Sequence, residues 1–192
     1  MNSHADYMRE NTNMIHTSLL AHQRLVSSIE THTDSIAQIS EKIINAGKTL
    51  IVGNGGSAGD AQHLAAELVG RFKKERAAIA AIALTTDTSI LTAVGNDYGF
   101  ENVFKRQVEA LCSPGDLLIA ISTSGNSPNV VRAIEAAIQK GAIIISLTGN
   151  DGGKIKPLSD ININIDSDNT ARIQEMHIII IHLICELIDE KF

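Results

Sequence analysis

His63 and Glu67 stand i and i+4 in the run GNGGSAGDAQHLAAELVGR, residues 53–71. On a helix that spacing puts an imidazole and a carboxylate side by side on one face. Such a pair can pass a proton, share a metal ion, or do neither and simply line a solvated face; what covers it decides. Ala61, Leu64, Ala65 and Leu68 form the opposite stripe of the same helix and must pack inward, so the pair points away from its own core. The helix is preceded by the apolar run Thr49 to Val52 and by Gly53, Asn54, Gly55, Gly56 and Ser57. That order reads as strand, glycine loop and helix N-terminus, where unpaired amides favour an anion. The loop is neither GxGxxG nor GxxxxGK[ST], and a plain turn with Ser57 as helix N-cap accounts for it equally well when taken alone.

A second loop of the same kind is Ser122, Thr123, Ser124, Gly125, Asn126 and Ser127, between the apolar run Leu117 to Ile121 and Pro128 at the first position of a helix. Hydroxyls that turn to suit their acceptor match the oxygens of a phosphate monoester. A serine-rich turn capped by Ser127 explains the loop as well on its own.

These residues need a frame. Apolar runs at Thr49–Val52, Ile79–Leu84, Leu117–Ile121, Ile143–Thr148 and Ile161–Ile165 alternate with helical patterns, which predicts an α/β fold: a three-layer αβα sandwich around a five-stranded parallel sheet. The flavodoxin-like strand order 2-1-3-4-5 places the switch point between the first and third strands, where such sheets bind ligands. Both loops leave the sheet there, and the joint coincidence favours a ligand site over two accidental turns. The helices are expected at about Ser3 to Ser28, from Asp34 to a C′ glycine at Gly47, and from Thr88 to about Val94, with Gly95 breaking the last and leaving Asn96 and Asp97 in an exposed turn. Others follow at Glu101–Leu111, Pro128–Lys140 and, briefly, up to Leu158, with 71–76 (RFKKER) as a charged loop.

The last stretch, Thr170 to Phe192, holds four consecutive isoleucines yet no turn signal, and its length predicts a helix. Its narrow polar stripe holds Glu175, His182, Glu186 and Asp189, whereas His177 lies off the stripe as a satisfied core residue. His182 by itself could equally be core. A helix apolar almost all round, and a long leading helix with an apolar stripe but no adjacent strand, both suggest burial by other subunits.

The chain has 192 residues and 44% apolar content, enough for one domain with a full core. A net charge of −6 offers no basic surface for nucleic acid or anionic membrane. Residues 1–47 are neither basic nor long enough for a DNA-binding domain. Cys112 and Cys185 lack a disulfide pattern and fit a reducing cytoplasm, and neither a signal core nor a membrane-spanning run is present in the sequence.

The segments GNGGSAGDAQHLAAELVGRF, ALTTDTSILTAVGNDYGF, ISTSGNSPNV, LTGNDGG and TARIQEMHIIIIH, in this order over nearly the whole chain, resemble the sugar isomerase (SIS) domain of bacterial phosphoheptose isomerases. The resemblance implies one SIS domain over 1–192, with residues 1–47 a helical extension used in oligomerisation, and a cytoplasmic homotetramer with no nucleic-acid or membrane partner. It implies conversion of D-sedoheptulose 7-phosphate to D-glycero-D-manno-heptose 7-phosphate, the first step toward the ADP-heptose of lipopolysaccharide core. Glu67 and His182 match the acid/base pair. Asn54, Gly55, Gly56, Ser57, Glu67, Asn96, Asp97, Ser122, Thr123, Ser124, Ser127 and Gln174 match substrate-binding positions. His63, Glu67, Gln174 and His182 match a zinc site held by some members. Ala171 departs from relatives that carry Asp there, so the role of that carboxylate is absent or falls to a neighbour such as Asp168.

Non-catalytic SIS proteins, namely sugar-phosphate sensors and a replication initiator-associating relative, provide the alternative. That relative lacks the acid/base pair, whereas Glu67 and His182 are both present here. Gln174 and His182 lie two turns apart, about 12 Å along a helix. Both reach one small site only by leaning toward each other, or else different chains supply them; an active site shared between subunits, with Glu67 meeting His182 across an interface, is the expectation.

Overall fold

The computed structural model describes the backbone from His4 and the side chains from Tyr7 to Phe192; the expected helix start at Ser3 lies outside the described residues. Helices α1 (His4–Ser28) and α2 (Thr33–Asn45), joined by a 3-10 turn, precede strand β1 (Thr49–Gly53) and helix α3 (Gly56–Val69). Strand β2 (Ala81–Ala83), helices α4 (Thr88–Tyr98) and α5 (Lys105–Leu111), strand β3 (Leu117–Ser122) and helix α6 (Pro128–Gln139) follow. Strands β4 (Ile143–Gly149) and β5 (Ile161–Ile165) and helix α7 (Thr170–Glu190) complete the chain.

All strands are parallel, in the expected order β2-β1-β3-β4-β5. Their near-continuous apolar character follows from burial on both faces. Ile51, Ile119, Ile121, Ile145 and Leu147 pack against α2, α3 and α7, while Leu50, Val52, Leu118, Ala120 and Ile144 meet α5 and α6. The alternation along each strand sorts one residue to each layer. Since α3 leaves β1 toward one layer and α6 leaves β3 toward the other, a crevice opens between their starts.

Several local expectations change. Gly95 does not break α4, because a single glycine inside a helix costs only about 1 kcal/mol; the helix runs on to Tyr98 and stops at Gly99, whose φ of 86° suits a residue without Cβ. The expected helix at 101–111 is split into a 3-10 turn at Phe100–Asn102 and α5. Gly47 is not a left-handed cap: α2 ends through extended Ala46, and a side chain at position 47 would collide with Asp116 Oδ1. Asp189 is buried rather than part of a polar stripe. The 71–76 loop is not wholly solvated, since Arg76 is buried against that aspartate.

His177 is completely buried, and its Nε2–H donates to the Thr148 carbonyl oxygen at 3.1 Å, while Nδ1 has no partner in the chain. Burial pushes the imidazole down to about 4, with the Thr148 bond opposing, so it is neutral at pH 7.

Helix α2 is part of the main core through Ile36, Ile39 and Ile43. Helix α1 is not. It leaves Met14, Ile15, Leu19 and Leu20 exposed, a stripe at helical spacing.

Candidate active site

The register Gly53↔Ile121 brings the ends of β1 and β3 side by side, so the loops after them border one crevice. Ser122 and Ser127 share a hydroxyl hydrogen bond at 3.0 Å, and Ser124 Oγ accepts from the Asn126 amide at 3.2 Å. Ser127 is the N-cap of α6 by position but makes no side-chain cap bond, which leaves its hydroxyl in the loop. Gly125 has φ of 63° and lies against Gly152, too close for any side chain, and its carbonyl accepts from the Ile155 amide at 3.0 Å. The turn after β4 thereby braces the serine loop, and Ser124 is left exposed.

On the other side, α7 covers α3, and the two run parallel. Gln174 lies over Gly56, where an added Cβ would come within 2.5 Å of its Nε2. Two turns on, His182 Nε2 is 3.1 Å from His63 Nε2, and His63 Nε2 is 3.4 Å from Glu67 Oε1. Gln174 and His182 therefore need not converge: each meets the turn of α3 beside it. Within the chain, the terminal helix α7 supplies the cover over the His63–Glu67 face.

Residues 19–149 match the SIS domain family. Over 184 residues the chain is 54% identical to phosphoheptose isomerase 1 of Campylobacter jejuni, covering 94% of this chain and 99% of that protein. It is 56% identical over 177 residues to the phosphoheptose isomerase of Aliarcobacter butzleri, covering 90% and 94% of the two chains. The structure of phosphoheptose isomerase from Neisseria gonorrhoeae aligns with a TM-score of 0.84 at 46% identity, over 96% of this chain and 99% of that one. The chain belongs to the phosphoheptose isomerases of the SIS domain family.

Within this isomerase fold the candidate residues fall into groups. Asn54, Gly55, Gly56, Ser57 and Gln174 surround the start of α3, with Ser57 buried and Gln174 half-buried. Ser122, Thr123, Ser124 and Ser127 form the facing loop. His63, Glu67 and His182 lie further along α3, on the same side as Gln174. Asn96 and Asp97 are on the exposed last turn of α4, where Asn96 Nδ2 donates to Asp97 Oδ1 at 2.8 Å; they hydrogen-bond to no other candidate among the described residues. Asp168, considered in place of a carboxylate at Ala171, lies with Ser124, Asn126 and Asp151 around a hollow at the ends of β4 and β5.

Five residues that motif reading passed over also shape the site. Asp60 lies on the stripe of His63 and Glu67, at i, i+3 and i+7, and has a buried carboxylate oxygen without a partner. Burial raises its carboxyl to about 6, against the pull of His63. Phe72 stacks on His182, with ring centroids 5.5 Å apart and planes 28° apart, and so helps to hold the imidazole in place. Arg76 and Asp189 anchor the loop that carries Phe72, and Arg76 Nη2 also donates to the Glu67 carbonyl oxygen at 2.7 Å. Asn129 pairs with Asn54 across the crevice. Only the i, i+3, i+7 stripe of Asp60 was a readable signal; the rest are long-range contacts.

The donors His63 and His182 have nitrogens at a spacing that zinc with bonds of about 2.0–2.2 Å spans in a tetrahedral site, where ligand atoms lie about 3.3 Å apart. Glu67 Oε1 extends the row at a similar spacing. The row is open rather than a finished cage: no cluster of three or more His, Cys, Asp or Glu among the described residues is arranged to hold a metal, and Gln174 of the same chain stands apart at Gly56. By chemistry two imidazoles and a carboxylate are zinc-type donors, but within one chain they are not gathered around a common point.

Proposed function

We propose that the chain interconverts D-sedoheptulose 7-phosphate and D-glycero-D-manno-heptose 7-phosphate through a cis-enediol. The observation that carries this reading is the His182–His63–Glu67 row set beside two adjoining anion-suited loops. Ketose to aldose conversion moves a proton between C1 and C2 on one face of the sugar, while a proton donor serves the carbonyl oxygen. Glu67, half-buried and held toward His63, removes and returns the carbon proton. His182, in contact with both Phe72 and His63, serves the oxygens. Ser122, Thr123, Ser124 and Ser127 hold the phosphate at the far end, and the binding energy gained there fixes the reacting end. Asn54, Gly55, Gly56, Ser57 and Gln174 line the path between, and Asn96 and Asp97 at the end of α4 are further substrate contacts on the family resemblance alone.

Zinc held by His63, Glu67 and His182 would polarise the C1 and C2 oxygens. Because a carboxylate bound to a cation is a weaker base, the histidines are the firmer donors in that arrangement. The exposed apolar stripe of α1 supports assembly, which we take to be a homotetramer. No helix among the described residues is long and apolar enough to cross a membrane, in keeping with a cytoplasmic enzyme that supplies heptose for lipopolysaccharide core.

Purified protein incubated with sedoheptulose 7-phosphate is expected to form the aldose, followed by proton NMR of the anomeric signals. Binding without turnover would favour the sensor reading instead. Metal analysis and light scattering of the same preparation check zinc and the tetramer: full activity without metal removes zinc from the reaction, and a monomer removes the assembly.

A further inference from the structure

Beyond the ends of β1 and β3, one link spans the crevice. Asn54 Nδ2 donates to Asn129 Oδ1 at 2.8 Å, and Asn129 Nδ2 donates back to Asn54 Oδ1 at 2.8 Å. The remaining hydrogen bonds of these loops go elsewhere. The glycine loop is tied to α3 through Ala58 and Gly59, and the serine loop to itself and to the turn at 152–155. Among the described residues, the reciprocal amide pair alone joins 54–57 to 122–129 by hydrogen bonds.

We infer that Asn129 is a positioning residue: through Asn54 it sets the spacing between the phosphate-holding loop and the helix that carries Glu67. The inference rests on the proposed isomerase reading. Asn129 is 2% exposed, so it cannot itself grasp a substrate, yet a buried amide persists only with its hydrogen bonds made. It is the second residue of α6, two after Ser127, and Asn54 is two residues before the start of α3. The pair therefore links the starts of the two helices whose N-termini face the crevice.

Its chemistry suits that place. Two primary amides complete a closed two-bond ring with no net charge, and each keeps one N–H and one lone pair free. A carboxylate here would repel the phosphate, and an ammonium would compete with the serine loop for it. Two hydroxyls would not reach across. The free N–H of half-buried Asn54 is left to meet the substrate in an orientation that Asn129 fixes.

The test measures kcat and KM for sedoheptulose 7-phosphate, the inhibition constant of inorganic phosphate, and Tm, for wild type and Asn129→Ala. Misplacement of reacting groups by about 1 Å is enough for a ~10- to 100-fold loss in kcat. That loss is expected with phosphate inhibition changed less than ~2-fold, because the hydroxyls that hold a lone phosphate are untouched. Asn129→Asp adds a readout that packing alone would not move. Its ionised form offers two acceptors and breaks the ring, whereas its protonated form donates to Asn54 Oδ1 and restores it. Relative to wild type, its kcat should recover as the pH is lowered.

Should Asn129→Ala fold poorly, Asn54→Ala breaks the same ring from the more open side, and a foldable double variant should be no worse than Asn54→Ala alone. Equal losses in phosphate binding and kcat would assign Asn129 to the phosphate cradle and overturn the inference. An unchanged kcat with a lowered Tm would reduce it to core packing. Wild-type protein that fails to turn over the sugar phosphate would instead defeat the isomerase reading, which separates the two failures.

Discussion

Glu67→Gln is expected to lower kcat by at least ~100-fold, the usual contribution of a positioned acid/base group. The amide keeps the size of the side chain and can still hydrogen-bond to His63, which now lies 3.4 Å from Oε1. It has no usable basicity toward a carbon acid. Because Gln174 and the serine loop are untouched, KM should stay within ~3-fold, the pattern of an interaction made mainly in the transition state. Deuterium wash-in from solvent at C1 or C2 tests the same point without relying on net conversion, and it should fall with kcat. A variant that retains near-normal turnover would transfer the base role to another group, of which Asp60 on the same stripe is the first to examine.

The second large effect is on stability. Asp189→Ala should cost about 3–5 kcal/mol, the penalty for leaving one member of a buried ion pair without its partner. Arg76 and Asp189 have side chains only 1% and 3% exposed, with Nε 3.1 Å from Oδ1. Oδ2 also accepts the amides of Lys73 at 2.6 Å and Lys74 at 2.8 Å. Removing the carboxylate strands the guanidinium on the carbonyls of Glu67, Leu68 and Ala77 and frees the loop that places Phe72 on His182. Urea denaturation reads the loss, and a change below ~1 kcal/mol would show that the pair is not what holds the loop.

The milder Asp189→Asn carries a pH signature. Burial works to raise the Asp189 carboxyl, but the Lys74 and Lys73 amides and the Arg76 guanidinium overcome it and hold the group below its ordinary value of 3.8. A carboxyl with a depressed folded-state value stabilises the protein fully above the unfolded-state value, and that share is lost as the pH falls through the folded one. The stability gap between wild type and Asp189→Asn should therefore be complete at pH 7 and close only below about 3.8.

The sequence alone determined the five strands and the two loops at their ends, because those rest on local signals: apolar runs of strand length, glycines and hydroxyls at their ends, and helical periodicity between them; the strand order came from the few orders that such alternating folds adopt. It also determined that His63 and Glu67 share a helix face, since four residues make about one turn. It misread α4, where Gly95 looked like a stop and Gly99 was one, because a glycine's effect depends on whether the surrounding turn is already held. It placed Asp189 on the polar stripe of α7 without its buried partner Arg76, because a helix wheel shows direction and not what lies in that direction. That α7 runs parallel to α3 was decided only in three dimensions, and with it the separate placing of Gln174 over Gly56 and His182 over His63. The same holds for the Arg76–Asp189 anchor and the Asn54–Asn129 pair. Each joins residues tens of positions apart, and no local periodicity encodes such contacts; they follow from how the completed sheet stacks its helices.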